Sequence, residues 1–296
     1  MILEESHSPL VSIVMPTYNH AKYLPISVQS VLDQTFTNWE LIIVDNFSKD
    51  NTLEVLSGFS DTRIKILQIN NEGCIGKSRN VAINCAKSDW LAFLDSDDSW
   101  EPNKLEVILG HQNEEIDFFY HNLRVVDADM HEVDSIQIRS RKLNSPILKD
   151  LIVNGNTIAT SSVVVRKNII LNVGGMSEET DLIGIEDYNT WLRISVITEK
   201  FKLIPICLGS YRMHGSNQST FKTFQPPSAA IEEFLHLLSP GEVDLLSRNF
   251  RYLEVRTKFL NRNFENLRAE LFSVIRTGTL IQKIKALWMV LLVTLQ

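Results

Sequence analysis

Strand-like and helix-like segments alternate through the first third of the chain. Each strand-like run is short and mainly apolar, which is typical of a strand buried on both faces of a sheet. The expected strands are Val11–Met15 (stopped by Pro16), Glu40–Val44, Arg63–Ile69 and Trp90–Leu94. The expected helices between them are about Tyr23–Asp33, Thr52–Gly58 and Lys77–Ala86. Because the connecting loops are short, the pattern predicts a parallel sheet covered by helices.

The pattern becomes mixed after Pro102. The expected elements are a helix to about Gln112, a strand at Asp117–His121, a hairpin at Val125–Ile138, a helix at Pro146–Val153, a strand at Ala159–Arg166, a helix at Glu186–Ile197, and strands at Phe201–Ile206 and Leu208–Arg212. From about Phe224 the chain is punctuated by Pro226-Pro227 and Pro240-Gly241 and is otherwise helical by periodicity. We therefore expect one α/β domain at residues 1–219, with a boundary near Ser219, and a helical C-terminal extension at residues 220–296.

The fourth strand runs directly into an acidic segment, Asp95-Ser96-Asp97-Asp98. Three carboxylates this close repel one another, and each has a raised pKa if it is left unpaired. Ligands of open α/β sheets bind beyond the carboxyl ends of the strands, and Mg²⁺ or Mn²⁺ joins such carboxylates to phosphate oxygens. Two interpretations stay open at this point: a metal–diphosphate site, or an acidic turn in which Asp98 or Ser99 caps the next helix.

Composition narrows the class of partner. The net charge of −7 argues against nucleic acid as the main partner. Residues 220–296 carry 10 Lys/Arg and 7 Asp/Glu, so the acidic excess belongs to residues 1–219. Residues 1–9 are too polar for a secretory signal, and no apolar run is long enough to span a bilayer. The three cysteines, Cys74, Cys85 and Cys207, lack metal-ligand spacing, so we expect buried reduced thiols in a cytoplasmic protein.

Several ordered motifs together resemble a family 2 glycosyltransferase with the GT-A fold, of the bacterial surface-polysaccharide type. The resemblance covers roughly residues 10–219. Its motifs are Val11–Asn19, Glu40–Asp50, Asn71–Gly73 with Ser78–Asn80, Phe93–Asp98, Glu186-Asp187 with Trp191–Arg193, and Tyr211–His214 with Ser219. The family's second-strand loop usually reads Asp-Asp-Gly-Ser, whereas this chain has Asp45-Asn46-Phe47-Ser48. The first acid is kept, but the second acid and the glycine are replaced, which puts the selectivity for the nucleobase in doubt.

The resemblance implies a role for each matched position. Asp97 would bind Mn²⁺ or Mg²⁺ directly, and Asp95 would contact the metal, a metal-bound water or the ribose. His214 would complete the metal shell or contact phosphate, and Asp98 would support the metal or cap the next helix. The expected nucleotide-binding residues are Pro16, Thr17, Tyr18, Asp45, Arg79, Asp95 and Ser96. Asp187 would be the general base, with Glu186 as the alternative, and a single base with in-line displacement implies inversion at the anomeric carbon. By position alone, both could equally be first-turn acids favoured by the helix dipole.

The implied reaction moves a sugar from a nucleotide-diphosphate sugar, UDP being the expected nucleotide, to a hydroxyl of a glycan or lipid-linked acceptor. A sugar-1-phosphate nucleotidyltransferase is a weaker alternative, because no Gly-rich basic loop follows the first strand. A catalytically inactive GT-A-like binding or assembly module is another; the altered loop leaves it open, but the retention of Asp95, Asp97 and Asp187 argues against it.

The C-terminal segment at residues 281–293 is apolar but too short to span a bilayer. With Lys283, Lys285 and Trp288, it could lie in a membrane surface, at the inner face of the membrane. It could equally pack on the domain or form a homodimer contact, and both interpretations stay open.

Overall fold

The computed structural model of the chain describes residues 10–215 and 228–294. The expected boundary residue Ser219, the start of the helical texture at Phe224 and the dipeptide Pro226-Pro227 lie outside the described residues, as do residues 1–9. The chain divides into two compact units, Met1–Asn144 with Thr157–Ser216, and Ser145–Asn156 with Asn217–Gln296. The boundary near Ser219 stays a prediction, but Ser145–Asn156, which the sequence analysis left in the first domain, groups with the C-terminal helices.

The first unit is built on a mixed sheet. Its strands are β1 Val11–Thr17, β2 Trp39–Asp45, β3 Ile64–Gln68, β4 Trp90–Phe93, β5 Ser99–Trp100, β6 Phe118–Val126, β7 Glu132–Ile138, β8 Val164–Arg166 and β9 Phe201–Arg212. Their spatial order is β3-β2-β1-β4-β8-β6-β9-β5, with β7 added beside β6. β3, β2, β1 and β4 are parallel, whereas β8 is antiparallel to both β4 and β6. The predicted parallel half and mixed second half are confirmed.

The helices of this unit cover the sheet. They are α1 Leu24–Leu32, α2 Thr52–Ser57, α3 Ile75–Cys85, α4 Lys104–Gly110, α6 Lys167–Asn172 and α7 Glu186–Ile197. The apolar side chains at the centre of β1, β2 and β4 are fully buried against Leu24, Val28 and Val31 of α1. The apolar stripe that the sequence places on α1 therefore packs on the sheet, and this core fixes the strand ends.

The first strand continues through Pro16 instead of stopping there. Pro16 pairs with Val44 and Thr17 with Asp45 in the parallel ladder between β1 and β2. The amide of Leu94 donates to the carbonyl of Val14, so Val14 faces β4 and the next residue but one, Pro16, faces the same way. β4 has ended at that level, so the missing N–H of Pro16 breaks no ladder hydrogen bond.

Two local predictions were wrong, and one interpretation that the sequence left open is excluded. The predicted strand Ala159–Arg166 is a short 3₁₀ turn at Thr160–Ser162 followed by β8, because the hydroxyls of this stretch bond to other groups. The two predicted strands between Phe201 and Arg212 are one strand with register shifts against β6. Neither Asp98 nor Ser99 caps α4: Ser99 lies in β5, and the N-cap position of α4 is Asn103.

The second unit contains α5 Ile147–Asn154, α8 Ser228–Ile231, α9 Pro240–Leu260, α10 Leu267–Thr277 and α11 Leu280–Thr294. A capping box between Ser239 and Glu242 starts α9, and Lys149 of α5 pairs with Glu242 at 3.0 Å. A second apolar cluster joins α9, α10 and α11 through Val255, Leu271, Val274, Ala286 and Met289. The predicted C-terminal helical region is confirmed for the described residues.

No helix among the described residues is both long enough and apolar enough to cross a membrane. The three cysteines are unpaired. Cys74 is buried as expected, but Cys85 and Cys207 are only partly buried.

Candidate active site

The carboxyl ends of the parallel strands bring the predicted site residues to one edge of the sheet. Thr17 at the end of β1 lies beside Asp45 at the end of β2. β4 runs parallel to β1 on the other side, and the acidic segment Asp95–Asp98 follows it directly. Ser27 of α1 fixes that segment, because its hydroxyl lies 2.8 Å from the carbonyl oxygen of Ser96 and 2.6 Å from that of Asp98, with one hydrogen to donate between them.

A group of potential metal ligands lies at this edge. One ligand atom from each of His20, Asp97 and His214 falls within 4.8 Å of the others. All three residues are partly buried, and the side chains of His214 and Asp97 are only 3% and 14% exposed. The Nε2 atom of His214 lies 2.9 Å from Oδ2 of Asp97. Two imidazole nitrogens and one carboxylate oxygen form a donor set that suits a first-row divalent cation such as Mn²⁺, whereas Mg²⁺ prefers oxygen alone. The residues present therefore fit the expected metal.

His20 is held in place by neighbours on two sides. Its Nδ1 lies 2.7 Å from the hydroxyl of Ser96, which leaves Nε2 available as a ligand atom. Burial lowers the pKa of His20, and this favours the neutral imidazole that can bind a cation. The ring of Tyr23 stacks on His214 with centroids 4.5 Å apart and meets His20 edge-on. The two histidines are therefore positioned by packing as well as by hydrogen bonds.

Arg79 of α3 lies between two carboxylates. Its Nη1 contacts Glu186 at 2.6 Å and its Nη2 contacts Asp95 at 2.8 Å. Arg79 and Glu186 are buried, and Asp95 is partly exposed. Burial raises the pKa of Asp95, Arg79 opposes this effect, and the charge of Asp97 adds to it. Arg79 is thus a buried side chain paired with two carboxylates, and its expected part in nucleotide binding stays a prediction.

Asp187 has a different environment from its neighbour in sequence. Glu186 pairs with Arg79 and also accepts a hydrogen bond from the amide of Gly184 at 2.7 Å. Asp187 instead accepts hydrogen bonds from the hydroxyl of Thr160 at 2.8 Å and the amide of Tyr188 at 2.6 Å. Burial and the charge of Glu186 raise the pKa of Asp187 to about 6. A carboxylate with such a pKa is well placed to accept a proton near neutral pH.

Asp98 anchors the acidic segment from inside the protein. Its carboxylate accepts hydrogen bonds from the hydroxyl of Ser161 at 2.5 Å and from the amide of Arg212 at 3.0 Å. Burial, followed by the charges of Asp97 and Asp95, raises the pKa of Asp98 well above its usual value. The hydroxyl of Ser161 also accepts from the amide of Asp95 at 3.1 Å. The turn Thr160–Ser162 therefore contacts both Asp187 and the acidic segment.

The expected nucleobase end lies at β1 and β2. Asp45 is fully buried, and its carboxylate accepts hydrogen bonds from the hydroxyl of Ser48 at 2.5 Å and from the side-chain amide of Gln68 at 3.0 Å. Thr17 is buried beside it, and its hydroxyl has no hydrogen-bond partner among the described residues. Tyr18 is 44% exposed and Phe47 is 55% exposed. Phe47 has a φ of +48°, a left-handed conformation at the position where the family usually has glycine.

The nucleotide contacts of Pro16, Thr17, Tyr18, Asp45, Arg79, Asp95 and Ser96 all stay predictions. Ser96 is buried and contacts His20, so it helps to position one of the candidate metal ligands.

Sequence reasoning missed three residues of this site. His20 was assigned only to a loop, and Thr160 and Ser161 were assigned to a strand. The signal for His20 was its position three residues after Thr17, at the edge where the acidic segment was expected. No signal marked the two hydroxyls, because Ser and Thr are common in strands and turns alike.

The family described as Glycosyl transferase family 2 matches residues 12–170. The Escherichia coli protein named UDP-Glc:alpha-D-GlcNAc-diphosphoundecaprenol beta-1,3-glucosyltransferase WfgD is 42% identical over 119 residues, which cover 40% of this chain and 47% of that protein. WfaP of Escherichia coli, which is named for the same activity, is 30% identical over 217 residues, covering 72% of this chain and 81% of WfaP. The match to WfgD thus spans about half of that relative.

Solved structures share the fold. Staphylococcus aureus TarS 1-349 in complex with UDP-GlcNAc aligns with a TM-score of 0.63 at 19% identity, covering 91% of this chain and 81% of that one. The mannosyltransferase PcManGT from Pyrobaculum calidifontis, in complex with GDP-Man and Mn²⁺, aligns with a TM-score of 0.61 at 13% identity, covering 97% and 81%. These likenesses confirm the predicted GT-A fold.

Proposed function

Since the chain belongs to glycosyl transferase family 2, we propose that it transfers a sugar from a nucleotide-diphosphate sugar to a hydroxyl of a glycan or lipid-linked acceptor. The observation that carries the proposal is the cluster of His20, Asp97 and His214 at the carboxyl edge of the parallel strands. A nucleotide diphosphate is acidic, so a cation held by this cluster would attract it. The cluster also lies at the edge where ligands of open α/β sheets bind.

In this proposal, His20, Asp97 and His214 hold the divalent cation, with Mn²⁺ favoured over Mg²⁺ by the two imidazoles. When bound, the cation neutralises the departing diphosphate. Asp95 pairs with Arg79, and its proposed role, which rests on the resemblance, is a contact with the ribose or a metal-bound water. Asp97 provides the carboxylate ligand because Asp98 is already engaged by Ser161 and Arg212.

Asp187 is the proposed general base. Its raised pKa, about 6, allows it to be ionised at neutral pH and still accept the proton of the acceptor hydroxyl. Glu186 is the weaker candidate, because its two oxygens bond to Arg79 and to the amide of Gly184. With one base and in-line attack, the reaction inverts the configuration at the anomeric carbon.

Relatives guide the choice of substrates. WfgD and WfaP are named for UDP-Glc as donor and an alpha-D-GlcNAc-diphosphoundecaprenol as acceptor. We therefore propose a UDP-sugar as the donor and a lipid-linked glycan as the acceptor of this chain. An acceptor of this kind would place the protein at the cytoplasmic face of a membrane. A homodimer, the other arrangement that the sequence suggests for the C-terminal helix, is tested by the sedimentation velocity of the lipid-free protein.

The first test is calorimetric titration with UDP, GDP and dTDP, each with Mn²⁺ and with EDTA. We expect one nucleotide to bind in a metal-dependent manner and Asp97→Ala to abolish that dependence. Asp89→Ala, which removes an exposed carboxylate that follows α3, is the matched control and should bind like the wild type. Absence of binding by all three nucleotides under both conditions would refute the proposed donor site.

A second measurement separates an enzyme from an inactive binding module. Transfer from UDP-Glc to a GlcNAc-diphospho-lipid is followed with wild type and Asp187→Asn. We expect transfer by the wild type and a loss of about 10²–10⁴-fold in the variant, with nucleotide binding retained. Metal-dependent binding without transfer from any of a panel of UDP-, GDP- and dTDP-sugars would instead favour the inactive module. Formation of a nucleotide sugar from a nucleoside triphosphate and a sugar 1-phosphate would favour the nucleotidyltransferase.

A further inference from the structure

The last helix, α11, exposes a continuous apolar face. Seven apolar side chains of α11 are between 43% and 74% exposed. With 3.6 residues per turn, their positions occupy one arc of about 140° around the helix axis. We call them the α11 face: Leu280, Ile281, Ile284, Leu287, Trp288, Leu291 and Leu292. An apolar patch of this size, all on one side of one helix, is unusual for a surface that meets only water.

The α11 face is not needed for the core of its own unit. The opposite side of the helix contributes Ala286 and Met289 to the apolar cluster with α9 and α10, and both side chains are buried. Gln282 on that side donates to Asn249 at 2.7 Å. The buried side of α11 therefore already holds the helix on α9 and α10, and the α11 face is left exposed.

Basic residues border the α11 face. Lys285 lies at one edge of the arc and Lys283 at the other, and α11 contains no acidic residue. Next to Trp288 lies a cavity of about 250 Å³, lined mainly by apolar and aromatic side chains and by two cations, Arg256 and Lys285. Apolar side chains between flanking lysines are typical of helices that lie in the plane of a membrane surface, with the lysine amines reaching the headgroups.

We propose that the α11 face binds the surface of an anionic lipid bilayer, with the apolar arc in the acyl-chain boundary and Lys283 and Lys285 on the lipid phosphates. Charge favours this occupant. The α11 helix of a second copy would bring the same two lysines and no carboxylate to pair with them. Anionic headgroups instead attract each lysine with a binding free energy of about 1 kcal/mol, which is roughly a fivefold gain in binding. The proposal is independent of the proposed transfer reaction, because lipid binding requires neither donor nor acceptor.

The chain contains its own probe of this contact. All five tryptophans lie in the described residues, and Trp39, Trp90, Trp100 and Trp191 are buried, whereas Trp288 is 64% exposed. The full-length protein is mixed with vesicles of phosphatidylcholine alone or of phosphatidylcholine with phosphatidylglycerol. We expect the tryptophan emission to shift to shorter wavelength and the protein to co-sediment with the anionic vesicles, both effects decreasing as salt is raised.

Two variants test the two parts of the surface. Leu287→Ser with Leu291→Ser keeps the Trp288 probe and should weaken binding about tenfold or more. Leu171→Ser with Leu237→Ser is its control, since both of those leucines are exposed elsewhere. Lys283→Gln with Lys285→Gln should weaken binding to anionic vesicles by roughly 25-fold and leave phosphatidylcholine binding unchanged. Its control is the same change at the exposed Lys65 and Lys202.

Circular dichroism and thermal unfolding check that each variant is folded. Selective loss of anionic-vesicle binding in the α11 variants, with both controls unaffected, would support the proposal. An unshifted tryptophan emission together with no co-sedimentation would overturn it, as would equal losses in α11 variants and controls. If the protein instead ignores vesicles and forms a lipid-free dimer that Leu287→Ser with Leu291→Ser dissociates, the face is a contact between copies and the membrane proposal is wrong.

Discussion

The hydroxyl of Thr160 should set the pH dependence of sugar transfer. It donates to Oδ2 of Asp187 at 2.8 Å, which stabilises the ionised carboxylate, and it opposes the burial that raises the pKa of Asp187 to about 6. Thr160→Val removes the donor and leaves a side chain of similar volume. Since the general base must be ionised, activity is lost as pH falls through the pKa of Asp187, and the variant should lose it at a higher pH.

The size of the shift follows from the hydrogen bond. A hydrogen bond to a charged group contributes about 1.5–3 kcal/mol, and one pKa unit corresponds to about 1.4 kcal/mol. The amide of Tyr188 still donates to Oδ1 in the variant, so we expect an increase of about one unit, the low end of this range. The acid limb of the kcat/KM profile should then move from about pH 6 to about pH 7. At about pH 5 the variant should be about tenfold slower than wild type, and above about pH 8 nearly equal to it.

The assay is the initial rate of transfer at saturating metal across this pH range. Thr190→Val is the matched control, because the Thr190 hydroxyl is also buried but donates to the backbone carbonyl of Glu186 at 2.7 Å. Its acid limb should coincide with that of the wild type. If the profile of Thr160→Val also coincides with the wild type while the protein is folded, Asp187 is not the group whose ionisation limits transfer.

Three further predictions concern binding and stability. His20→Gln should weaken Mn²⁺ binding at least about tenfold, read from the electron paramagnetic resonance signal of free Mn²⁺, whereas the exposed His111→Gln should not; equal affinities would exclude His20 as a ligand. Phe47→Gly should raise the free energy of unfolding by about 1 kcal/mol, because glycine adopts the left-handed φ of this position without strain. If the exposed ring stacks on the nucleobase, the same change should weaken donor binding, and an unchanged affinity would argue against stacking. Arg79→Met should lower the free energy of unfolding in urea by about 3 kcal/mol, since it leaves Glu186 buried and unpaired; a loss no larger than that of Arg248→Met, an exposed ion pair worth under about 1 kcal/mol, would contradict this.

The parallel half of the sheet was predictable because each strand there is a self-contained apolar run. β1, β2, β3 and β4 were all placed within two residues of their ends. Such strands are buried on both faces, so their sequences are apolar throughout and differ sharply from the loops. One error in this region was the predicted stop at Pro16, which rested on the rule that proline ends a strand. The rule fails here because the pairing of β4 with β1 already ends at Val14 and Phe93, so no hydrogen bond from Pro16 is needed.

The turn Thr160–Ser162 could not be predicted, because its conformation depends on distant partners. The stretch from Ala159 to Arg166 is rich in β-branched residues and reads as one strand. In the structure, the hydroxyls of Thr160 and Ser161 bond to Asp187 and Asp98, which are 27 and 63 positions away. A local pattern contains no information on these partners, so tertiary contacts override the strand propensity.

The same limit applies to the proposed general base, for which the structure supplies a physical argument. Glu186 and Asp187 are adjacent first-turn acids of α7, and the sequence alone gives them equal chemistry. Arg79, 107 positions away from Glu186, removes one of them by forming a buried ion pair. Within the described part of the chain, the hydrogen-bond donors to Asp187 are the neutral groups of Thr160 and Tyr188. Burial and the charge of Glu186 therefore raise the pKa of Asp187 to about 6, where a carboxylate both ionises and accepts protons near neutral pH. The arginine therefore acts on the reaction in this interpretation without touching the acceptor: by occupying Glu186 it leaves Asp187 as the carboxylate available for proton transfer.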